Sequence, residues 1–211
     1  MLDYTQRVKQ NAHTAEDYLS RPSKKHNAEM QLIRRALKKA QPPTTILDAP
    51  CGVGRATILL ASLGYDATGL DLGVGAVEVA DRELKKSGQK GRIVQGNLTS
   101  LDYDDASFDA ILCFRLYHHF PNNETRDAIV TELCRVAKDT VLISYFSPYS
   151  VTSIKRKVRT KLGLGQGRSI QFATSLKSLV EKFSTEGFAL KADVPQRRFL
   201  HTLHLAVFER A

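Results

Sequence analysis

Short apolar runs and amphipathic helical patterns alternate along residues 44–146, and this alternation constrains the fold more than any other feature of the chain. The apolar runs that predict strands are TTILDAP, DATGLDL, GRIVQG, FDAILCFR and TVLISYF. The patterns that predict helices between them are ATILLASLG, VGAVEVADRELKKSG and NETRDAIVTELCRVAK. Such alternation is typical of a mostly parallel sheet with helices on both faces and right-handed crossovers. Ligands of these sheets bind at the carboxyl ends of the strands.

Other segments flank this alternating part on both sides. Residues 24–40 predict a helix, because their apolar residues recur at i, i+3, i+4 and i+7. After Phe146 the chain is basic and contains several glycines, and SLKSLVEKFSTEG then predicts another helix. ALKADVP and LHTLHLAVFER predict two antiparallel strands, since only a short connection separates them. We therefore expect one domain over residues 1–211, made of an N-terminal helical cap (1–43), a ligand-binding core (44–146), a basic insertion (147–172) and a C-terminal helix with a strand pair (173–211).

The composition is that of one globular domain. Of 211 residues, 42% are hydrophobic and 25% are charged, and a chain of this length buries a core without disulfides or a structural metal. Cys51, Cys113 and Cys134 are odd in number and widely spaced, which favours reduced thiols. No apolar run approaches the roughly 20 residues of a membrane-spanning helix, and the first residues are too polar for a secretory signal. We therefore expect a cytoplasmic protein.

The formal net charge of +9 comes from two segments. Residues 21–40 contain seven Lys or Arg against one acid, Glu29, and residues 151–170 contain six against none. A local excess of this kind indicates either an anionic partner or a solvated surface.

A glycine turn follows the first predicted strand and carries the chemistry of the core. The strand ends at Asp48 and is followed by Gly52 and Gly54, and the second strand ends at Asp71, 19 residues after Gly52. Glycines at a strand-to-helix turn let the backbone approach a ligand, and an acid about 20 residues later can accept hydrogen bonds from ribose hydroxyls. The pattern predicts a nucleoside site. None of the six histidines is spaced with acids or cysteines as a metal ligand set, so we expect no metal.

The ordered series LDAPCGVGR, GLDL, GNLTSLDYDDASFDAILCFRLYHHF and ELCRVAK resembles the successive motifs of the class I S-adenosylmethionine-dependent methyltransferases. It is most similar to the group that includes the ubiquinone and menaquinone biosynthesis methyltransferases, and the resemblance covers about residues 44–146. It implies a doubly wound, Rossmann-like α/β fold with a mostly parallel seven-stranded sheet and an antiparallel terminal strand. It also implies that S-adenosyl-L-methionine is the cofactor.

The resemblance assigns the donor site residue by residue. Asp71 would hold the ribose, with Leu72 beside it. Asn97 stands where the family usually has an Asp that faces the adenine amino group, with Leu98 next to the ring. Asn retains a carbonyl acceptor but lacks the charge. The residues that would line the methionine part of the cofactor are Asp48, Gly52, Gly54, Cys113 and Arg115, of which Arg115 could equally be an ion-pair partner.

The candidate catalytic residues follow the fourth strand and end the fifth. His118 and His119 match an HHF stretch of the family and could contact cofactor or acceptor, or could only pack. Imidazole titrates near neutrality, so His118 is the candidate base for a hydroxyl or acidic carbon acceptor. Tyr145 is the third candidate. The resemblance also implies a cover over the site, with aromatic and basic candidates at Tyr4, Tyr18, Arg21, Tyr145, Phe146 and Tyr149.

The basic insertion suggests which acceptor such an enzyme would methylate. Ile154, Val158 and Leu162 recur among its charges, which suits an anionic membrane surface or a phosphate-rich molecule. We therefore expect a small-molecule, lipid-linked or phosphorylated envelope glycolipid (lipopolysaccharide-like) acceptor, with possible peripheral membrane contact through Lys155, Arg156, Lys157, Arg159 and Lys161. RNA is an alternative acceptor, because its backbone also selects basic patches. A non-catalytic partner protein that retains the fold is the other alternative.

Overall fold

The computed structural model describes residues 23–149, 172–197 and 202–211. Its helices in these ranges are α1 (Ser23–Leu37), α2 (Arg55–Ser62), α3 (Val74–Ser87), α4 (Asn123–Val136) and α5 (Leu176–Thr185), and a 3-10 helix covers Tyr117–His119. Its strands are β1 (Thr45–Asp48), β2 (Asp66–Asp71), β3 (Arg92–Gln95), β4 (Phe108–Cys113), β5 (Ala137–Phe146), β6 (Phe188–Pro195) and β7 (Leu203–Arg210). The predicted order of strands and helices is confirmed.

The strands form one sheet in the order β3-β2-β1-β4-β5-β7-β6. The first five strands pair in parallel, and β7 pairs antiparallel with both β5 and β6. This is the predicted doubly wound, mostly parallel sheet. The single antiparallel strand does not lie at the edge, because β7 is inserted between β5 and β6.

Two apolar cores cover the two faces of the sheet. One core packs α1 and α2 on the sheet and includes Leu32, Ile33, Leu60 and Val207. The other packs α4 and α5 on the opposite face and includes Leu133, Phe183 and Phe208. Strands covered on both faces are apolar at almost every position, which explains why runs such as FDAILC and VLISYF lack a polar alternation.

The basic helix α1 is fastened to the sheet by both apolar and polar contacts. Ile33 and Ala36 are fully buried against the core, as the helical spacing predicts. The guanidinium of Arg35 donates to the carbonyl oxygens of Pro195, at 2.7 Å, and Gln196, at 3.2 Å. One of the seven cations of this segment therefore joins α1 to the end of β6.

The junction between α4 and β5 differs from the prediction. The apolar run TVLISYF, which predicts the fifth strand, begins at Thr140, but β5 already begins at Ala137, directly after Val136. Arg210 of β7 makes this abrupt change possible, because its guanidinium donates to the carbonyls of Cys134 (2.9 Å) and Ala137 (2.6 Å) and its Nε to that of Lys138 (2.9 Å). Carbonyls at the end of a helix need such partners where no further turn supplies them.

The described residues also agree with the prediction of reduced thiols. All three cysteines are buried and make no disulfide. Burial raises the pKa of the Cys113 and Cys134 thiols, which keeps them protonated. Within the described ranges, the helices are all too short or too polar to cross a membrane.

Replacing Arg210 by Ala should lower the free energy of unfolding by about 2 kcal/mol, because it removes charged donors from three carbonyls at the α4–β5 junction. Urea denaturation followed by circular dichroism measures this. Arg197→Ala, which changes an exposed arginine, is the control and should alter stability by less than about 0.5 kcal/mol. Equal stability of the two variants would contradict a structural role for Arg210.

Candidate functional site

The glycine turn lies at the carboxyl end of β1, where the sequence predicts the site. Gly52 and Gly54 both have left-handed backbones, with φ values of 58° and 78°. A Cβ added to Gly54 would lie 3.0 Å from the Cβ of Ala80 in α3. Glycine is therefore required here both for the backbone conformation and for the close approach of α2 to α3.

Asp48 is buried beneath this turn. Its Oδ2 accepts a 2.6 Å hydrogen bond from the Thr57 hydroxyl of α2, while its Oδ1 is buried with no hydrogen-bond partner among the described residues. Burial raises the pKa of Asp48 to about 7, and the bond from Thr57 opposes part of this effect. The orphaned oxygen is an acceptor that a bound cation or a proton could satisfy.

Asp71 ends β2 and faces the glycine turn. Its Oδ2 accepts from the backbone N–H of Gly52 and its Oδ1 from that of Gly73, each at 2.9 Å. The carboxylate is thus fixed in place at the mouth of the turn. A carboxylate oxygen has more than one lone pair, so these two bonds do not by themselves prevent the Asp71 carboxylate from accepting the hydroxyls of a ribose.

The predicted adenine-side residues lie next to Asp71, after the end of β3. Gln95 is in register with Asp71, and the Gly96 N–H donates to the Asp71 carbonyl at 3.0 Å. Asn97 is half-buried and its side chain caps a turn, whereas the Leu98 side chain is fully buried. A bound base could therefore meet Leu98 only through its backbone. Leu72 is half-buried beside Asp71.

Cys113 and Arg115 lie on the other side of the turn, where β4 ends. The Cys113 side chain is fully buried in the core. Arg115 has a left-handed backbone with φ of 63°, and its N–H donates to the hydroxyl of Ser144 at 2.6 Å. Its guanidinium makes a 2.8 Å ion pair with Glu29 of α1, which is only 3% exposed. The sequence leaves two roles open for Arg115, contact with the cofactor and an ion pair. The structure contains the ion pair.

A second polar pair joins α1 to the glycine turn. The Nδ1 of His26 lies 3.1 Å from a guanidinium nitrogen of Arg55, the residue after Gly54. Burial and the nearby Arg55 charge lower the pKa of His26. Sequence reasoning missed both Glu29 and His26 as site residues. The signal for Glu29 was its position as the lone acid of a strongly basic helix.

The three candidate catalytic side chains are less accessible than a base for an acceptor should be. His118 is fully buried, and its ring stacks on that of Phe146 with 3.8 Å between the ring centres. The ring of His119 lies 4.3 Å from that of His118 and is half-buried. Tyr145 is 1% exposed, and burial raises its pKa. Its hydroxyl lies 3.5 Å from the Nδ1 of His204 on the adjacent strand.

His204 in turn makes a contact that the sequence did not predict. Its Nδ1 lies 2.8 Å from Oδ2 of Asp193 on β6, so the two form a carboxylate–imidazole pair across β6 and β7. Because β5 runs parallel to β1 and β4 and pairs with β7 at this level, the pair lies toward the same edge of the sheet as the glycine turn.

Several other predicted residues lie outside the described ranges. These are the cover candidates Tyr4, Tyr18 and Arg21 and the basic cluster Lys155, Arg156, Lys157, Arg159 and Lys161. Tyr149, another cover candidate, follows β5 and is 77% exposed. Across the residues that the structure describes, no group of three or more His, Cys, Asp or Glu could hold a metal ion.

Taken together, this edge fits a nucleoside cofactor with a cationic tail. A carboxylate fixed by two backbone N–H groups, a turn with two left-handed glycines and a buried acid oxygen without a partner among the described residues lie together here. These features define the class of doubly wound nucleoside-binding domains with a single glycine turn at the first strand.

Comparison with known proteins narrows this class. Residues 46–140 match the family described as a methyltransferase domain. The magnesium protoporphyrin IX methyltransferase of Arabidopsis thaliana is 28% identical over 106 residues, which are 48% of this chain and 32% of that protein. The uncharacterized methyltransferase YcgJ of Bacillus subtilis is 32% identical over 107 residues, which are 49% of this chain and 41% of that protein. The chain thus spans only about a third of the length of the first curated relatives it matches.

Solved structures share the fold over most of the chain. The magnesium protoporphyrin IX methyltransferase of Synechocystis PCC 6803, solved with bound SAH, superposes with a TM-score of 0.68 at 16% identity and covers 100% of this chain and 89% of that one. Residues 46–140 therefore match a methyltransferase domain in sequence, and the chain shares the fold of a solved methyltransferase, as the resemblance implies.

The buried Asp48 should make stability depend on pH in a specific direction. Its folded pKa of about 7 lies above the ordinary value, so the folded protein binds the proton more tightly than the unfolded chain. The contribution of Asp48 to the free energy of unfolding is therefore fully present below about pH 4 and is lost as the pH rises through about 7. Measured against Asp48→Asn, the stability of the wild type should fall by about 2–4 kcal/mol between about pH 4 and 7.5. Urea denaturation across this range measures the difference, and parallel curves for the two proteins would contradict it.

Breaking the pair between α1 and the end of β4 should also destabilise the fold. Glu29→Gln leaves the Arg115 guanidinium without its carboxylate partner. We expect the free energy of unfolding to fall by about 2 kcal/mol, and no further, because the Arg115 side chain remains partly exposed to water. Glu181→Gln, on the exposed face of α5, is the matched control and should cost less than about 0.5 kcal/mol. Thermal and urea unfolding of both variants measures these losses of stability. Equal stability of the two variants would contradict a structural role for the Glu29–Arg115 ion pair.

Proposed function

We propose that this chain transfers a methyl group from S-adenosylmethionine to an acceptor held over the carboxyl ends of β4 and β5. The observation that carries the proposal is the Asp71 carboxylate, fixed by the N–H groups of Gly52 and Gly73 at the mouth of the glycine turn. A nucleoside bound through Asp71 extends one way along the sheet edge toward β3 and the other way over the turn toward β4. The second direction leads to the region in which an acceptor would meet the donor.

Different residues of this chain would bind the ribose and the methionine part of the cofactor. Asp71 would accept the ribose hydroxyls, and the backbone around Gly52 and Gly54 would lie under the methionine part. The orphaned Oδ1 of Asp48 would stabilise positive charge near that part of the ligand. When bound, S-adenosylmethionine supplies a methyl group that its sulfonium already activates.

The protein's remaining task is to align the acceptor and to exclude water, since an activated donor needs little further chemical help. The paired contacts His26–Arg55 and Glu29–Arg115 would hold α1 across both turns that border the donor site. Such a cap lowers the access of solvent to the reacting atoms.

A hydroxyl or acidic carbon acceptor would also need a base. Of the three candidates from the sequence, His119 is the most accessible, because the rings of His118 and Tyr145 are buried in the protein. His204, oriented by Asp193 and partly exposed, is a further imidazole at this edge.

For the acceptor, we propose a small, lipid-linked or phosphorylated glycolipid molecule with apolar and anionic parts. The names of relatives that act on magnesium protoporphyrin IX, sterols and ubiquinone precursors favour an apolar acceptor body. Tyr149 adds an exposed aromatic ring directly after β5, and the basic cluster of residues 155–161 adds the charge that would attract an anionic group.

Calorimetric titration with S-adenosylmethionine and with S-adenosylhomocysteine tests the donor site. Wild type should bind both, and Asp71→Asn should weaken both at least about tenfold, because the charged acceptor of the ribose hydroxyls is lost. Asp66→Asn, at the exposed start of the same strand, is the matched control and should bind as wild type does. Failure of the wild type to bind either ligand would overturn the proposal.

Transfer of a radiolabelled methyl group tests the acceptor. The protein would be incubated with lipopolysaccharide, anionic lipid vesicles, protoporphyrin, a phenolic quinone precursor and bulk RNA in separate reactions. Label in any of the first four supports the proposed acceptor class, and label in RNA alone supports the alternative. Cofactor binding without transfer to any acceptor would favour a non-catalytic role.

A further inference from the structure

Asn97 stands at the start of a tight turn after β3, and its side chain is committed to that turn. Its Oδ1 accepts from the backbone N–H of Thr99 at 3.0 Å and from the Thr99 hydroxyl at 2.9 Å. The Ser100 N–H donates to the Asn97 carbonyl at 3.1 Å and closes the turn. This arrangement is an Asx turn with an additional side-chain bond.

These bonds fix which end of the amide points away from the turn. A backbone N–H can only donate, so the atom that faces the Thr99 N–H must be the oxygen of the Asn97 amide. Two donors already occupy the two lone pairs of that oxygen. The nitrogen Nδ2 makes no hydrogen bond with the residues that the structure describes, so the group available to a ligand is an N–H donor.

The turn is held rigidly, so the amide cannot easily reverse. The Leu98 side chain is fully buried in the core. The Leu101 N–H donates to Oε2 of Glu132 at 2.8 Å, and the guanidinium of Arg135 donates to the Leu101 carbonyl at 3.0 Å. Both ends of the segment are thereby fastened, one to the core and the other to α4.

The position of Asn97 places it where a nucleobase would lie. It is separated from β3 only by Gly96, whose N–H donates to the Asp71 carbonyl. The glycine turn is on the β1 side of Asp71, and Asn97 is on the β3 side. A nucleoside with its ribose on Asp71 and its tail over the glycine turn therefore has its base directed toward Asn97.

We propose that Asn97 donates a hydrogen bond to the purine base. The amide would bind an acceptor on the base, either a ring nitrogen or an exocyclic oxygen, and would not accept from the 6-amino group. The inference rests on the proposed function, because it assumes that S-adenosylmethionine is the ligand. An N–H donor can bind N1 of adenine, and it can equally bind the 6-oxo group of hypoxanthine. A carboxylate at the same position accepts from the amino group of adenine and repels the oxo group. The chain therefore tolerates a deaminated cofactor.

The experiment is calorimetric titration of the full chain with S-adenosylhomocysteine and with its deaminated analogue, S-inosylhomocysteine. Wild type should bind the two within about threefold of each other. Asn97→Asp keeps one oxygen for Thr99 and replaces Nδ2 by a second oxygen, so it should prefer S-adenosylhomocysteine by at least about tenfold. Asn97→Ala removes the donor from both ligands and should weaken both by a similar factor.

The outcomes separate this inference from the proposed function. Strong preference of the wild type for S-adenosylhomocysteine, with the ratio unchanged in Asn97→Asp, would overturn the inference and leave the donor site intact. Absence of binding of either ligand to the wild type would overturn the proposed function, and the inference with it. Circular dichroism and thermal unfolding of each variant show whether a lost affinity reflects a lost fold.

Discussion

The hydrogen bond from Thr57 to Asp48 sets the geometry on which the glycine turn depends. It joins the end of β1 to the first turn of α2 across 2.6 Å inside the protein, where an unsatisfied carboxyl would be costly. Thr57 can come this close only because residue 69 in β2 is glycine, since a Cβ there would lie 2.6 Å from the Thr57 hydroxyl. Because this contact holds the first turn of α2 close to the sheet, the glycine turn before α2 lies against Asp71. The position of the glycine turn beside the Asp71 carboxylate thus follows from a packing contact at Gly69, two residues earlier in the same strand.

The sequence was sufficient to predict features that depend on local pattern. The order of strands and helices, the glycine turn and Asp71 could be predicted because apolar periodicity and glycine spacing act over short distances along the chain. The early start of β5 could not be predicted, since the donors to the carbonyls at this junction come from Arg210, in a much later strand. The burial of His118 and Tyr145 was also beyond reach, because it depends on which rings and strands lie beside them in the folded chain.

Charge on α1 has two different uses. Some of its basic residues and its single buried acid are structural, since Arg35 joins the helix to β6 and Glu29 joins it to Arg115. Lys38 and Lys39, which directly follow the helix, are exposed. The excess of positive charge in this segment therefore cannot be assigned to a partner as a whole. Composition gives the sum of these charges but not their division between contacts within the protein and contacts with other molecules.

The insertion of β7 between β5 and β6 has a consequence for how the protein is made. The ribosome releases β5 well before residues 203–210, yet β7 is the strand that pairs with it. Until those residues emerge, the nascent chain presents a long, apolar strand with an uncovered edge. Such edges bind to one another between chains, so this interval is the period of greatest risk of aggregation. Strands β1 to β4 can pair with one another in the meantime, and the open edge of β5 is covered only once β7 pairs with it.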